Sequence, residues 1–129
     1  MQLEMNMKLI LMIGIGGFIG TILRYIISIG IQNKFLSGYP FGTFTVNIIG
    51  CFLIGIIYAL SDRGNIPVEW RLFIATGILG GFTTFSSFSN ETVSLLRDSQ
   101  YSFAFLYVFS TVFIGILATF AGIFLIKAF

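Results

Sequence analysis

Four long apolar runs, separated by short polar connections, constrain this chain more than any other feature. A helix needs about 20 residues to cross a hydrocarbon core of roughly 30 Å, and each run approaches or exceeds that length. Only 9% of the residues are charged, against about a quarter in ordinary soluble domains. The sequence therefore predicts one all-α integral membrane domain over residues 1–129, with helices at about 9–31, 43–60, 71–97 and 102–127.

The residue inventory excludes several classes of function. The chain has no histidine and a single cysteine, Cys51, which excludes histidine acid–base catalysis, His/Cys metal sites and an intrachain disulfide. No nucleophile–base pair can be assembled, so we do not expect an enzyme. A net charge of +2 gives no electrostatic support for nucleic-acid binding.

The distribution of basic residues bears on orientation in the bilayer. Four spans return both termini to one side, which places four basic residues near one membrane face and three near the other: Lys8, Arg63, Arg71 and Lys127 against Arg24, Lys34 and Arg97. Lys/Arg asymmetry sets membrane orientation, so a near tie predicts insertion both ways up. Four helices are also few to enclose a pathway. Both observations favour an antiparallel, dual-topology homodimer.

The third run contains a segment of low helix propensity. Residues 77–89 read GILGGFTTFSSFS, where glycines cost up to about 1 kcal/mol each in a helix relative to alanine and hydroxyls compete for backbone hydrogen bonds. We expect a mid-membrane break near Gly80 to Thr84, whose freed carbonyls can hold a cation. The alternative is an unbroken helix that packs through its glycines.

Small and polar residues recur at helical spacing on the other runs. Helix 1 carries a GxxxG pair at Gly16 and Gly20, and helix 4 carries a stripe of Tyr107, Thr111, Gly115 and Thr119. For the glycines we favour close helix packing. Asn47 in helix 2 is different, because an uncompensated amide in hydrocarbon costs several kcal/mol and must find a partner or water.

The phenylalanines of the third run alternate with hydroxyls. Phe82, Phe85 and Phe88 share one helical face, and an adjacent face carries Thr84, Ser87 and Glu91. The positive edge of a phenyl ring can line an anion route without a fixed charge that would trap the ion. The alternative is that the rings simply face lipid or core.

Two charged residues lie well inside the predicted spans rather than at their ends, Arg24 and Glu91. Arg24 can raise the anion concentration in a vestibule, or its side chain can snorkel to the interface. Glu91 is the one acid well inside a span, either as a pore-end acid or as a hydrated helix-end residue. Together with the phenyl rings, the hydroxyls and Asn47, these residues lead to the hypothesis of an anion path.

Three segments together resemble a known family. GGFIGTILRY at 16–25, GTFTVNIIGCFLIG at 42–55 and GGFTTFSSFSNE at 81–92 are similar to the Fluc (CrcB) fluoride channels, and the resemblance covers the whole chain. It implies an antiparallel homodimer in the microbial inner (plasma) membrane, surrounded by lipid and binding no nucleic acid. Two pores in the dimer would export fluoride passively and electrogenically, which gives fluoride resistance.

The resemblance also assigns roles to residues. It places the family's paired pore phenylalanines on Phe85 and Phe88, the pore asparagine on Asn47, the helix 4 polar track on Tyr107 and Thr111, the vestibule arginine on Arg24, and the acid after the Phe motif on Glu91. We add Thr43 and Ser87 to the predicted fluoride pore. A structural Na⁺ on the dimer axis would be held by the backbone carbonyls of Gly80 and Thr83 from both subunits.

Some features depart from the family pattern. Ser87 replaces a common threonine and keeps the hydroxyl, Gly115 leaves one donor of the polar track in doubt, and Phe82 precedes the paired motif and is better explained by packing. The main alternative function is a small proton-coupled multidrug or cation exporter, which needs a carboxylate near the bilayer centre. A purely structural membrane subunit is a further alternative, but it would have no use for Asn47 together with the alternating Phe and hydroxyl residues.

Overall fold

The computed structural model describes residues 5–129, and that part of the chain is all-helical, without strands. Helix α1 spans Met7–Gln32 and α2 spans Phe41–Asp62. A third span, Val68–Arg97, is assembled from several segments, and α6 spans Tyr101–Ala128. All four are long and apolar enough to cross a membrane, so the chain is a multi-pass membrane protein.

The third span changes helical type along its length. It begins as α3 (Val68–Arg71), continues as a π-helix (Leu72–Leu79) and returns to α-geometry in α4 (Gly80–Phe82). Thr83 and Thr84 are extended, and α5 follows at Phe85–Arg97. The π-helix was not anticipated from sequence. π-Turns often occur at functional sites, and this one leads directly into the interruption.

Two helix pairs form the body of the protomer. α1 packs along the π-helix and α4, and α2 packs along α6, with further contacts between α1 and α2. The first pair depends on a missing side chain, because a methyl group at Gly20 would overlap the carbonyl oxygen of Ile78. The packing role predicted for Gly16 and Gly20 is confirmed, since both are buried against residues 73–78 and 82.

Backbones also approach closely along the α2–α6 seam, which we define by Gly55, Gly115, Thr119 and Gly122. A methyl group at Gly55 would overlap the Thr119 carbonyl, and the Thr119 hydroxyl donates to the carbonyl of Cys51 at 3.0 Å. The helix 4 stripe is therefore divided. Its Gly115–Thr119 end packs against α2, whereas Tyr107 and Thr111 lie nearer the third span.

A cluster of buried aromatic residues closes the end of the protomer near the α1–α2 connection. Tyr39 packs edge-on against Tyr107 with ring centroids 5.4 Å apart, and its hydroxyl shares a 2.7 Å hydrogen bond with the Ser110 hydroxyl. Burial raises the pKa of Tyr39 above its ordinary value, and the Ser110 hydrogen bond opposes part of that effect. Through this hydrogen bond and the ring contact, Tyr39 anchors the α1–α2 connection to α6.

Candidate functional site

The interruption of the third span is held by a side chain from α2. The Asn47 amide faces the backbone of Thr84 and makes two hydrogen bonds with it: Asn47 Nδ2 donates to the Thr84 carbonyl at 3.0 Å, and the Thr84 amide donates to Asn47 Oδ1 at 2.8 Å. We call this pair the Asn47 fork. It supplies the partner that a buried amide requires, and it pairs Thr84 much as a neighbouring β-strand would.

The fork changes the bonding of the surrounding backbone. In a continuous α-helix the Thr84 amide would donate to the Gly80 carbonyl and the Ser87 amide to the Thr83 carbonyl. Here the Thr84 amide goes to Asn47, and the Ser87 amide donates to Thr84 Oγ1 at 3.2 Å as an N-terminal cap of α5. The carbonyls of Gly80 and Thr83 therefore lose their helical donors.

A cavity of about 340 Å³ lies beside the interruption. It brings together most of the residues predicted for the pore and for the cation. Its lining consists of Asn47, Gly50, Cys51, Ile54, Ala75, Leu79, Gly80, Thr83, Thr84, Phe85, Phe88, Thr111 and Val112. None of these lining residues carries a formal charge, so any ion in this cavity meets only dipoles.

The Thr111 hydroxyl stands out within this lining. Its oxygen is buried and has no hydrogen-bond partner among the residues that the structure describes. Buried polar atoms are almost always paired, and a threonine in a helix ordinarily bonds back to its own backbone, as Thr119 does to the Gly115 carbonyl at 3.1 Å. An unpaired hydroxyl at a cavity wall is available to a ligand.

The two phenylalanines of the motif differ in their surroundings. Phe85 is 78% exposed, whereas Phe88 is 8% exposed and packs against Tyr107 with ring centroids 5.1 Å apart. The Phe85 and Phe88 rings remain neighbours at 5.6 Å. The expectation that Phe82 shares their helical face is wrong, because the extended residues separate it from α5; it is buried, which agrees with its predicted packing role.

Glu91 lies in a separate polar cluster. The Thr43 hydroxyl donates to Glu91 Oε1 and the Tyr107 hydroxyl donates to Glu91 Oε2, each at 2.6 Å. This contact joins α2, α5 and α6, and sequence reasoning did not foresee it, since the three residues are distant along the chain. Thr43 and Glu91 line a second cavity, of about 460 Å³, near Gln32 and Gln100.

The structure separates other predicted site residues from the first cavity. Arg24 Nε donates to the Gly81 carbonyl at 3.0 Å, so the Arg24 side chain binds the main chain of α4 and does not simply snorkel to the interface. Ser87 serves the cap of α5, with its hydroxyl 3.2 Å from Thr84 Oγ1. Tyr107 is fully buried and lines neither cavity; its ring packs on Phe88 and its hydroxyl donates to Glu91.

The side chains offer little to a metal ion. Residues 5–129 contain no group of three Cys, Asp or Glu side chains close enough to hold a metal. A cation at this site would need main-chain oxygens, and the Gly80 and Thr83 carbonyls, which lack their helical donors, are of the kind that hard cations accept.

The fold and the site define a class: a small multi-pass helical membrane protein with an uncharged, largely apolar cavity, containing a few hydroxyl and amide groups, beside an interrupted helix. Comparison with known families is consistent with that class. The family model described as CrcB-like protein, Camphor Resistance (CrcB), matches residues 11–123. The chain belongs to the CrcB family.

Curated relatives match almost the whole chain. A protein of Phocaeicola vulgatus named fluoride-specific ion channel FluC is 45% identical over 117 residues, which cover 91% of this chain and 97% of the relative. Relatives with the same name from Flavobacterium psychrophilum and Thermus thermophilus are 40% and 43% identical, covering 94% and 92% of this chain and 98% and 93% of those proteins.

Proposed function

We propose that this protein is a fluoride-specific ion channel of the inner membrane, and not an enzyme. The single observation that carries the proposal is the uncharged cavity beside the interruption, where the unpaired Thr111 hydroxyl, the Asn47 amide and the rings of Phe85 and Phe88 meet. The names of its CrcB relatives support the choice of ion.

The chemistry of the cavity suits a small anion. Hydroxyl and amide groups donate hydrogen bonds, and ring edges are electropositive. Asn47 Nδ2 carries two hydrogens, of which the fork uses one, so one donor remains for an ion. Neutral donors replace part of a hydration shell without binding the ion so tightly that it cannot leave.

The proposed path has two stations within each chain. The first is the cavity at Asn47, Thr111, Phe85 and Phe88, and the second is the Thr43–Glu91–Tyr107 cluster, where Tyr107 and Thr43 lead toward the polar second cavity. Glu91 is then the acid at one end of the pore, and Ser87 contributes by fixing the start of α5. Arg24, which binds the Gly81 carbonyl next to the interruption, would attract anions to a vestibule.

An antiparallel homodimer would complete the pathway. Phe85 is an apolar ring that its own chain leaves 78% exposed, at a cavity that its own chain does not close. A second copy would cover this ring and wall the cavity, and a two-fold axis would generate two equivalent pores. The near tie of basic residues on the two sides favours opposite orientations of the two copies.

A structural Na⁺ at the dimer axis fits the donor set. Two copies would present four main-chain oxygens, from Gly80 and Thr83 of each protomer, and main-chain oxygens suit a hard cation. The ion would supply positive charge where these carbonyl dipoles converge and would hold the two interrupted helices together. Transport itself would then be passive and electrogenic, and it would lower the fluoride concentration of the cytoplasm and confer fluoride resistance.

The direct test is ion efflux from liposomes that contain the purified protein. Vesicles loaded with KF should lose fluoride rapidly once valinomycin lets K⁺ leave with it and balance the charge. Vesicles loaded with KCl should retain chloride under the same conditions. Loss of both anions at similar rates would refute fluoride selectivity. Cation uptake driven by a pH gradient, with no fluoride current, would instead favour the proton-coupled exporter.

A further inference from the structure

Asn47 has a second role that its place in the pore does not require. The Asn47 fork binds both main-chain polar groups of Thr84, its N–H and its C=O, although a pore donor needs only a free N–H. The same residue therefore lines the ion cavity, where one Nδ2 hydrogen remains unused, and binds the third span through its other Nδ2 hydrogen and Oδ1.

The fork decides which carbonyls near the interruption are paired. The Thr84 carbonyl accepts from Asn47, and the Gly81 carbonyl accepts from Arg24 at 3.0 Å. The Gly80 and Thr83 carbonyls lose their helical donors, one because the Thr84 amide is bound by Asn47 and the other because Thr84 Oγ1 takes the Ser87 amide. Both losses depend on Thr84 remaining extended.

We infer that Asn47 is the positioning residue of the cation site: by holding Thr84 extended, it keeps the Gly80 and Thr83 carbonyls available to Na⁺. This inference rests on the proposed channel and its cation. If the fork is removed, the Thr84 amide can return to the Gly80 carbonyl and the third span can close into a continuous helix. The pore and the cation site are then coupled through one side chain.

Sodium dependence of assembly tests the inference without measuring transport. The dimer fraction and the thermal unfolding midpoint of the purified protein would be followed in detergent as NaCl replaces N-methylglucamine chloride at constant ionic strength. Asn47→Leu keeps the approximate volume of the side chain but loses both hydrogen bonds. We expect it to raise the half-saturating Na⁺ concentration by about tenfold or more.

Two further variants make the test specific. Thr84→Val removes the hydroxyl that accepts from the Ser87 amide, and we expect a smaller shift in the same direction. Thr111→Val is the matched control: it lines the same cavity but makes no hydrogen bond to the interruption. It should reduce fluoride efflux and leave the half-saturating Na⁺ concentration unchanged.

The outcomes separate this inference from the channel hypothesis. Wild-type Na⁺ affinity in Asn47→Leu, with efflux lost, would overturn the inference and leave Asn47 as a pore residue only. If Asn47→Leu does not fold, Thr84→Val decides in its place, and an unchanged Na⁺ response would refute the inference. A wild-type protein that ignores Na⁺ but conducts fluoride would overturn the cation site alone, whereas absence of fluoride efflux would overturn the channel.

Discussion

The α2–α6 seam and the interruption at Thr83–Thr84 are both places where a main chain contacts another element directly. The two contacts differ in kind, since the first is close packing and the second is hydrogen bonding. Along the seam two continuous helices touch through glycines. At Gly55 the Thr119 carbonyl occupies the space that a side chain would fill. At the interruption the chain leaves the helix and is held by directional bonds from Asn47. Close packing determines the structure of the first region. Hydrogen bonding determines that of the second, where the Gly80 and Thr83 carbonyls lack their α-helical donors.

The largest expected effect is a loss of stability when one methyl group is added in the α2–α6 seam. Gly55→Ala places a carbon against the Thr119 carbonyl, and because helix backbones cannot yield as a flexible side chain does, we expect a loss of about 3 kcal/mol or more in unfolding free energy. Thermal unfolding in detergent measures it. Gly14→Ala, where nothing lies within 4 Å, is the control, and equal stability of both variants would contradict the packing account.

The next effect concerns function at the interruption, where we expect a change in conduction but little change in folding. Phe85→Ile removes a ring edge from the cavity while its chain buries little of the side chain. Fluoride efflux should fall by about tenfold or more, since neutral ring and donor contacts compensate for lost hydration.

The control for this substitution is Phe18→Ile, which changes a similarly exposed ring on α1 away from the cavity. Its efflux should equal that of the wild type. If Phe85→Ile conducts at the wild-type rate while still forming dimers, the ring does not contribute to the path. Phe88→Ile should also reduce efflux, together with some stability, because Phe88 packs on Tyr107.

A third experiment contrasts one glycine at the interruption with those of the seam. A methyl group at Gly80 meets nothing closer than the Ala75 carbonyl at 3.8 Å, and Gly80 has helical dihedral angles, so alanine should fit within the protomer. We expect Gly80→Ala to weaken dimer assembly or its Na⁺ dependence without unfolding the chain. Sedimentation of the variant with and without Na⁺ measures this, and wild-type behaviour in both buffers would exclude a role for this position.

The smallest expected effect is the stability lost when one hydrogen bond of the seam is removed, which separates the contribution of hydrogen bonding from that of packing. Thr119→Val removes a hydroxyl that donates to the Cys51 carbonyl but preserves the volume of the side chain. One neutral hydrogen bond contributes about 1 kcal/mol, so stability should fall by about that amount with fluoride efflux unchanged. A larger loss, comparable to that of Gly55→Ala, would mean that hydrogen bonding rather than packing holds the seam.

Sequence reasoning predicted the overall class of this protein well because bilayer thickness fixes helix length. The four spans follow from apolar runs alone. The need of the Asn47 amide for a partner was also expected, and the Thr84 main chain meets it, whereas the pore roles of Asn47, Thr111 and the Phe motif stay predictions. The Thr43–Glu91–Tyr107 cluster was not foreseen as a unit, since nothing along the chain shows that positions 43, 91 and 107 meet. The dimer and its cation stay predictions.

The amino-acid sequence by itself determined that the chain is helical and crosses a membrane, because a hydrocarbon core requires internally satisfied backbones over fixed lengths. It also located the weak point of the third span in the Gly/Thr run. Only the tertiary structure showed where that span is interrupted and what it meets there: Asn47, 37 residues away along the chain, binds the main chain of Thr84. The physical reason is that local propensity can weaken a helix, but only a partner in space can satisfy the exposed backbone groups.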